Sequence, residues 1–501
     1  MGPQGAARPS GQDHCGAMPG RTRSAADPSE VGRSGSSSRR RFASVPRMRG
    51  SAETLESWTR TGIAWLRRPG NRSVVVAGVV AFGLRLAWVI WATKSPLIPG
   101  TDTARYLSTA LELASRHTPS RNGLPSAATA VGYPATLAPL LVIVNHVGGP
   151  SPIFTAALLN VVIGTAAIPF AAMLGRLWLG QTARTTAAWL LAVAPSQIYM
   201  TSVAMVETLM VTLVLAGVAW GTVLVARGTP VRRGWWVAFG AFVAYAALVN
   251  PLGLLLLAVP ALSIRGRSGS WRGARRHLGL LLATVGLVLL PMFVRNGVQV
   301  GVWSPFSSGN ANAACIGQRP HSNGVGEVNR ATLQRCFILR KLRPGETVEG
   351  AFIAWFNRPL DEGHWYYENL HQARSWALGH PLQQVPLSYH KLLITFRDDD
   401  EALSTAQDFG NHPLAGPSTL ELLNRVNAAW YWGVLLLAGL GLAFRRELHR
   451  AVPIWAVPAL SLIGVAALHG TPRYHHPVMG LVVVSAAATV AAIRAPAPGR
   501  R

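Results

Sequence analysis

A carboxylate directly follows the first long apolar segment of the sequence. Asp102 lies in the stretch Gly-Thr-Asp-Thr-Ala-Arg-Tyr at 100–106, just after the apolar residues 74–93. Where a membrane-spanning helix meets water, a charge costs less than at the bilayer centre and is within reach of a lipid headgroup. Asp102 is therefore a candidate catalytic base. The alternative is that Asp102 caps the amphipathic helix predicted to follow it, because Asp is a favoured N-cap.

A second carboxylate, Glu207, follows the segment 195–200 at the start of the fourth predicted span. An unpaired carboxylate is expensive inside the bilayer, so such a residue is first interpreted as functional. The alternative is an ion pair with an arginine of the bundle, for which Arg85 is the candidate. The cost of burial favours a functional role, and Glu207 is the second predicted catalytic residue.

Three arginines occupy positions where a phosphate could bind. Arg85 lies within the first predicted span, whereas Arg295 and Arg473 lie at the ends of later spans. The planar guanidinium fork matches the geometry and charge of phosphate oxygens. The alternative for Arg295 and Arg473 is that their long side chains extend from the apolar region to the interface.

Further polar and aromatic stretches carry weaker signals. The segment 304–312 is small, polar and turn-rich, so Asn310 and Asn312 could offer hydrogen bonds to a sugar or phosphate, or belong to an ordinary loop. The acidic run 398–401 lacks the spacing of a calcium loop and is predicted to be solvated. The cluster 364–367 could stack on a sugar ring or rest at the membrane interface.

The composition indicates a polytopic membrane protein. The 501 residues are 50% hydrophobic and 14% charged, and apolar runs of helix-spanning length recur along the chain. The net charge of +26 comes mostly from arginines in the tail and in loops between spans, so it indicates topology rather than nucleic-acid binding. No zinc-binding spacing or nucleotide-binding glycine motif occurs. Cys315 and Cys336 share one hydrophilic loop and could pair in an oxidising compartment.

The predicted fold is an all-α polytopic membrane protein with about ten transmembrane helices. Residues 1–50 lack apolar clusters and are predicted to be a disordered cytoplasmic tail, and residues 51–72 an interfacial helix. The ten spans are predicted at 73–93, 152–175, 183–200, 208–226, 235–249, 252–264, 277–294, 428–443, 452–469 and 475–493. The apolar segment 132–147 is short and contains two prolines, so it is predicted to be a re-entrant or juxtamembrane element.

The distribution of arginines sets the orientation. Ten spans with the N-terminus inside leave most loop arginines in the cytoplasm, as the positive-inside rule requires. The transmembrane core 73–295 then has a first extracytoplasmic loop at 94–151, and residues 296–427 form an extracytoplasmic, partly helical domain. Apolar residues at 352, 353, 355 and 356 recur there at helical spacing. Residues 428–493 contain the C-terminal transmembrane helices and residues 494–501 a second cytoplasmic tail, so both termini of this multi-pass protein of the cell membrane are predicted to be cytoplasmic.

The motifs occur in an order that resembles one family. A first span with an internal Leu-Arg-Leu precedes Gly-x-Asp-x-x-x-Tyr at 100–106 and Gly-Tyr-Pro at 132–134. Pro-Ser-x-x-Tyr at 195–199 follows with a Glu after it, then Arg-Asn at 295–296 and Pro-Arg-Tyr-His-x-Pro at 472–477. Together, over about residues 73–493, they resemble the polytopic GT-C glycosyltransferases, in particular the bacterial relatives of dolichyl-phosphate-mannose protein mannosyltransferases and of the lipid A aminoarabinose transferase.

The resemblance implies an outer-face active site that uses a polyprenyl-phosphate-linked sugar donor. Asp102 matches the family's base, and the mechanism implied is inverting transfer to a lipid or cell-envelope glycan acceptor, with membrane lipids but no nucleic acid as further partners. Thr103 replaces the Glu of the protein mannosyltransferase motif, which argues against a protein acceptor. The oligosaccharyltransferase motif Trp-Trp-Asp-Tyr-Gly is absent from the sequence, so no catalytic metal and no cofactor are expected.

The substrate-binding residues expected on this basis are Arg85, Tyr106, Tyr133, Arg295, Asn310, Asn312, Arg473, Tyr474 and His475. The alternative function is a membrane transporter or flippase for a lipid-linked or polar solute, in which Arg85 and Glu207 would be charges on the pathway. No paired repeat of interrupted spans, such as many secondary transporters contain, is found in the sequence.

Overall fold

The computed structural model describes residues 69–93, 101–226, 233–266, 271–326, 330–338, 342–348, 350–352, 361–408 and 414–494. Within these residues the regular secondary structure is helical apart from one short antiparallel hairpin, β1 (Ser120–Arg121) with β2 (Leu124–Pro125), and an isolated parallel bridge between Val325 and Gly470. The predicted tail 1–50, most of the predicted interfacial helix 51–72 and the residues 353–360 lie outside the described part. Residues 69–72 form the start of the first helix.

Among its described residues, the first half of the bundle contains ten α-helices and two short 3-10 helices. The α-helices are α1 (Pro69–Ala92), α2 (Asp102–Arg116), α3 (Gly132–His146), α4 (Pro152–Leu179), α5 (Gln181–Ala192), α6 (Pro195–Tyr199), α7 (Glu207–Ala226), α8 (Arg233–Val249), α9 (Ala258–Gly266) and α10 (Trp271–Val300). The 3-10 helices are Met200–Ser202 and Pro251–Leu257.

The second half begins with short elements and ends with long helices. The α-helices are α11 (Gly309–Gly317), α12 (Arg330–Thr332), α13 (Glu362–Gly379), α14 (Pro381–Arg397), α15 (Glu401–Asp408), α16 (Pro417–Phe444), α17 (Arg446–Arg450), α18 (Val452–Ala467) and α19 (His476–Ile493). A π-helical segment, Leu333–Ile338, and a 3-10 helix, Pro472–His475, complete the described elements.

Among the described residues, six helices are long and apolar enough to cross a membrane. They are Gly70–Ala92, Pro152–Leu179, Glu207–Val225, His277–Val300, Pro417–Phe444 and Pro472–Ile493, and three shorter apolar helices accompany them. The membrane-protein prediction agrees with this architecture, but the count of ten spans is not reached by helices of spanning length. The segment 132–147, predicted as a juxtamembrane element, is the short helix α3.

One predicted span is wrong as a single helix. Residues 183–200 were expected to cross the membrane continuously, but α5 ends at Ala192 and α6 begins at Pro195. Ala194 has an extended backbone, φ −62° and ψ 112°, because the residue before a proline is driven away from the helical region.

Small residues allow the central helices to approach closely. The core is formed largely by α1, α4, α5, α7 and α19, whose buried faces are rich in alanine and valine. At Gly175 a Cβ atom would lie 2.8 Å from the carbonyl oxygen of Ala183, so only glycine permits this contact between α4 and α5. Close backbone approach of this kind is typical of helix packing in membranes, where lipid competes with apolar side chains.

The polar groups gather at one end of the bundle, which we call the polar end. Trp88 near the end of α1 donates to the carbonyl oxygen of Tyr199 at 3.0 Å, and Asn427 of α16 donates to that of Asp399 at 2.6 Å. The start of α7, the 3-10 helix Pro472–His475 and the chain between α10 and α16 also lie there. Residues from the predicted first extracytoplasmic loop, 94–151, and from the predicted domain 296–427 thus meet at the same end of the bundle.

The two cysteines of the predicted extracytoplasmic domain, which the sequence left as a possible pair, are bonded to each other. A disulfide joins Cys315 of α11 to Cys336 of the π-helical segment. Beside it, the part of the predicted amphipathic segment that is described, Ala351 and Phe352, packs on a small cluster with Leu333 and Val348. Such a disulfide is compatible with an oxidising compartment on this side of the membrane.

Candidate active site

Asp102 occupies the first turn of α2, where the helix N-terminus stabilises a negative charge. The N-cap residue is Thr101, whose hydroxyl accepts from the backbone N–H of Ala104 at 3.3 Å. The alternative interpretation of Asp102 as the cap is therefore wrong. The carboxylate of Asp102 does not cap the helix and instead contacts arginines, and the side chain remains 21% exposed.

Arg473 joins the two predicted catalytic carboxylates. Its Nη1 donates to Oδ2 of Asp102 at 2.7 Å, and its Nε lies 3.1 Å from Oε1 of Glu207. Arg105, one turn along α2, forms an ion pair with the other oxygen of Asp102. Two guanidinium groups thus contact the Asp102 carboxylate, and opposite charges at this distance favour the ionised form of a carboxyl group, which is the form that can accept a proton.

Glu207 lies deeper than Asp102. Its side chain is 6% exposed, and its second carboxylate oxygen is buried without a hydrogen-bond partner in the described part of the chain. The ion pair considered for Glu207 does form, but with Arg473 instead of Arg85. Glu401, at the start of α15, is also close enough to Arg473 to interact with its charge.

Tyrosine side chains surround this cluster. Tyr106 packs edge-on against Tyr133 with ring centroids 5.9 Å apart, and burial raises the pKa of Tyr106 to about 12. Tyr133 is fully buried beneath it and donates to Oδ1 of Asn160 at 3.2 Å. Tyr474 follows Arg473 and bonds through its hydroxyl to Nε2 of His469 at 3.2 Å. Tyr133 thus packs beneath Tyr106 and is not exposed to solvent itself.

A small cleft opens beside Asp102. It is shallow, with about 10 Å³ of space for the centres of water-sized molecules, and is lined by two arginines and five hydroxyl side chains. These residues are Arg105, Ser108, Thr109, Ser120, Arg121, Ser126 and Thr129. Burial is the largest cause that lowers the pKa of Arg121, to about 10, so Arg121 is still cationic at neutral pH. Positive charge and hydroxyl groups together favour an anion.

Arg295 holds the loop that forms this cleft. Its Nη1 donates to the carbonyl oxygen of Ser126 at 2.8 Å, and its Nη2 donates to that of Pro119. Both Nη atoms of the Arg295 guanidinium group, which was predicted to bind phosphate, donate to these carbonyl oxygens. Arg295 thus joins α10 to the first loop. The sequence did not indicate these contacts, because the carbonyl oxygen of Ser126 lies 169 residues before Arg295 in the chain.

Glu362 fastens the same loop from the other side. Its carboxylate accepts from Ser126 Oγ at 2.9 Å, from the Ala127 N–H at 3.0 Å and from Ser308 Oγ at 2.6 Å. Burial raises the pKa of Glu362, and these three donors oppose that shift by favouring the charged form. Sequence analysis missed Glu362, because nothing around it distinguishes a buried carboxylate from an exposed one on a polar helix.

Four other predicted substrate-binding residues make structural contacts or lie apart from the cluster. The guanidinium group of Arg85 is 1% exposed and donates to the carbonyl oxygens of Ala81, Leu191 and Ala192. Asn312 is buried and donates to the carbonyl oxygen of Cys336 at 3.2 Å, while Asn310 lies half-buried in the first turn of α11. His475 is buried against Asp399 at 2.8 Å.

The acidic run 398–401 is not the solvated segment that was predicted. Asp399 is 1% exposed and forms contacts with His475 and His476, and Glu401 accepts from Thr471 Oγ1 at 3.1 Å. Asp398 forms an ion pair with the adjacent, exposed Arg397, so among these residues it comes nearest to the predicted solvated segment. The prediction failed because the partners of Asp399 and Glu401 lie about 70 residues later in the chain.

Comparison with solved structures finds membrane proteins to which the chain is similar. No protein-family model and no curated protein sequence matches the chain. The oligosaccharyltransferase AglB from Archaeoglobus fulgidus, in complex with an inhibitory peptide and a dolichol-phosphate, matches with a TM-score of 0.48 and 14% identity over 86% of this chain and 51% of that chain. ArnT from Cupriavidus metallidurans, bound to undecaprenyl phosphate, matches with a TM-score of 0.39 and 18% identity.

The chain is similar to membrane glycosyltransferases. The match with ArnT covers 87% of this chain and 77% of that chain. The chain spans about half the length of the oligosaccharyltransferase. The order of motifs in the sequence predicted a resemblance to the same kind of protein.

Proposed function

We propose that the chain is an integral-membrane glycosyltransferase that moves a sugar from a polyprenyl-phosphate donor to a cell-envelope acceptor. The observation that supports this most directly is the position of Asp102. Its partly exposed carboxylate pairs with Arg473 and with Arg105, and Arg105 also lines a neighbouring cleft of arginine and hydroxyl groups. A base beside an anion-binding cleft is the arrangement that transfer from a sugar phosphate requires.

Asp102 is the proposed general base. It takes the proton from the acceptor hydroxyl while that oxygen forms a bond to the anomeric carbon of the donor sugar. The bond between the anomeric carbon and the phosphate oxygen breaks, and the phosphate leaves with the electron pair. Attack from the side opposite the leaving group inverts the configuration at the anomeric carbon. The ion pairs with Arg473 and Arg105 keep Asp102 deprotonated before the acceptor arrives.

The departing phosphate is assigned to the cleft. Arg473 already contacts both Asp102 and Glu207, whereas Arg105 and Arg121 line the cleft together with hydroxyl donors. Guanidinium groups aimed at the leaving oxygen stabilise the charge that develops there. The substrate-binding role expected of Arg295 becomes a positioning role, because Arg295 and Glu362 hold the loop that carries Ser126.

Glu207 is proposed to act through Arg473. Its buried carboxylate fixes the Nε end of the guanidinium group, so that Nη1 remains directed at Asp102. A buried charge with a single partner is costly, and its retention here fits a positioning role. Tyr106 and Tyr474 form the walls around the same arginine and are the proposed contacts for the sugar.

The reaction is proposed to occur on the extracytoplasmic face, with both termini in the cytoplasm. The positive-inside rule assigns two arginine-rich segments, 176–184 and 445–450, to the cytoplasm. The first joins the end of α4 to α5, and the second contains α17. The Cys315–Cys336 disulfide lies in the chain segment of the polar end, which fits an oxidising compartment.

The test is sugar transfer by the purified chain. Full-length protein in detergent or in lipid vesicles is incubated with radiolabelled polyprenyl-phosphate sugars and an extract of cell-envelope glycans and lipids. The proposal expects label to appear in a glycan or lipid acceptor, with release of polyprenyl phosphate. Movement of the intact labelled lipid between the two leaflets of the vesicle, with no change in its covalent structure, would instead identify the protein as a flippase.

A further inference from the structure

Three ligand-type side chains meet in the interior of the polar end, apart from the Asp102 cluster. Asp399 lies in the turn between α14 and α15, His475 ends the 3-10 helix Pro472–His475, and His476 begins α19. All three side chains are 0% exposed. One ligand atom from each lies within 4.8 Å of the others.

The hydrogen-bond geometry of His475 needs a positive charge or a metal ion. Its Nδ1 lies 2.7 Å from the carbonyl oxygen of Thr395, which requires an N–H at Nδ1. Its Nε2 lies 2.8 Å from Oδ1 of Asp399, which is also an acceptor. A neutral imidazole has one N–H, so it satisfies only one of these two contacts. Either a second proton or a metal ion at Nε2 completes the arrangement.

Two further polar atoms of the cluster are buried without a hydrogen bond in the described part of the chain. They are Oδ2 of Asp399 and Nε2 of His476. Nε2 of His476 lies 3.4 Å from Oδ1 of Asp399, and the buried hydroxyl of Ser196 is close to the same carboxylate. A second proton on His475 would leave both of these atoms unsatisfied, at the cost that a buried polar group normally carries.

A tetrahedral metal ion would satisfy all of these atoms together. Ligands about 2.0–2.1 Å from a tetrahedral zinc ion lie roughly 3.3 Å from each other. The observed separations from Oδ1 of Asp399 are 2.8 Å to His475 Nε2 and 3.4 Å to His476 Nε2, which bracket that spacing. Two imidazoles and one carboxylate are a nitrogen and oxygen set that suits zinc among the divalent metals.

The outer contacts of the two histidines also match those of metal ligands. The second ring nitrogen of a ligating histidine commonly donates to a backbone carbonyl or another acceptor. His475 does so through Nδ1 to Thr395. The Gln197 amide lies 3.3 Å from Nδ1 of His476, and its oxygen and nitrogen exchange places by a half-turn, so Oε1 can accept from Nδ1–H.

We propose that Asp399, His475 and His476 bind one zinc-class divalent ion at a structural site. The ion would join the turn after α14 to the start of α19, two residues after Arg473, and so keep that arginine in register with Asp102. The fourth position is available to Ser196 Oγ or a water molecule. This site is separate from the transfer chemistry, for which no metal is proposed.

The test measures metal content without any activity assay. Full-length protein is purified in detergent from zinc-supplemented cells, passed over a desalting column and analysed by mass spectrometry for metals. About one zinc ion per chain is expected, with nitrogen and oxygen neighbours at about 2.0–2.1 Å in X-ray absorption spectra. Cobalt loaded in its place should give the visible bands of tetrahedral coordination.

Matched variants locate the ion. His476→Gln and Asp399→Asn should lower bound zinc to background, while His371→Gln, on the exposed surface of α13, should leave it unchanged. Wild-type protein with no bound zinc or cobalt after loading overturns the proposal. Zinc retained by a folded His476→Gln variant, or wild-type X-ray absorption that lacks imidazole scattering, overturns it as well. The wild-type measurements decide the matter even where a variant fails to fold.

Discussion

The guanidinium group of Arg473 contacts carboxylates that come from the first loop and from the start of α7. It donates to Asp102 through Nη1 and approaches Glu207 through Nε, so the two contacts use different edges of one planar group. Lysine has a single compact ammonium group on a flexible stem and cannot reproduce this fork. The geometry of the cluster therefore depends on the shape of the arginine as well as on its charge.

Arg473→Lys should reduce sugar transfer more than it reduces stability. The ammonium group can remain near one carboxylate, which limits the loss that an unpaired buried charge would cause. Displacing Asp102 by about 1 Å is enough to slow transfer by about 10²-fold. Turnover per mole of folded protein and the unfolding temperature in detergent measure the two effects.

Glu207→Gln is the companion variant, because an amide oxygen can still accept from Nε of Arg473. It should retain far more turnover than Arg473→Lys if Glu207 only positions the arginine. A loss of transfer in the glutamine variant as large as that of Asp102→Asn would assign a direct chemical role to Glu207.

At the scale of single elements, the loop between α2 and α3 is braced by residues remote in sequence. Glu362 accepts three hydrogen bonds from Ser126, Ala127 and Ser308, and Arg295 donates to the carbonyl oxygens of Pro119 and Ser126. Ser126 belongs to the cleft assigned to phosphate. The shape of the cleft thus depends on α10 and α13 as well as on the loop itself.

Glu362→Ala should destabilise this region. It leaves three buried donors without an acceptor, and each hydrogen bond to a charged group is worth about 1.5–3 kcal/mol. The unfolding temperature should fall and limited proteolysis should cut the chain near residues 119–129. Glu421→Ala removes an exposed pair with Arg425 on α16 and should change stability by less than about 1 kcal/mol. Equal stability of the two variants would show that the brace contributes little.

The buried imidazole of His469, between α18 and the 3-10 helix Pro472–His475, makes the stability of the folded chain depend on pH. Burial lowers its pKa to about 4, from an ordinary value near 6.5, so the folded chain keeps the imidazole neutral. Between pH 6.5 and 4 the unfolded chain binds a proton that the folded chain does not, and stability therefore falls as the pH is lowered through this range. Unfolding temperatures at pH 7, 6 and 5 measure the effect, and His469→Gln should make the decrease shallower. An unchanged slope in that variant would assign the acid sensitivity to other groups.

Sequence analysis singled out three charged residues that the structure brings together, but it could not pair them. Asp102, Glu207 and Arg473 each stood out because a charge next to a long apolar run is unusual. Nothing local distinguished Arg473 from Arg85 as the partner of Glu207, since the partners lie 266 and 122 residues away along the chain. Arg85 instead donates to carbonyl oxygens left open where α5 ends.

The predictions for the acidic run 398–401 and for the number of spans failed for related reasons, because a short sequence window shows neither distant partners nor breaks within an apolar segment. The burial of Asp399 depends on His475, which follows it by 76 residues, and no sequence window contains both. Hydropathy treated 183–200 as one span because its composition is apolar, although Pro195 divides it into α5 and α6. Composition predicted the helical membrane class well because it sums over the whole chain.

At the scale of the whole molecule, the orientation in the membrane determines which substrates can reach Asp102. Cysteine labelling tests it in a background where Cys15 is replaced by serine. Leu382→Cys, at a fully exposed position at the start of α14, should react with an impermeant maleimide on intact cells. Glu447→Cys in α17, near the opposite end of α16, should react only after the cells are opened. The reverse pattern would place the polar end in the cytoplasm.

The central claim is that Asp102 is the base for sugar transfer, and Asp102→Asn tests it most directly. Asparagine keeps the shape of the side chain and one oxygen for Arg473, and Thr101 still caps α2, so the variant should fold. It cannot accept a proton, and transfer per mole of purified protein should fall by about 10²- to 10⁴-fold, while binding of the polyprenyl-phosphate donor persists. Near wild-type turnover in a folded Asp102→Asn protein would contradict the account.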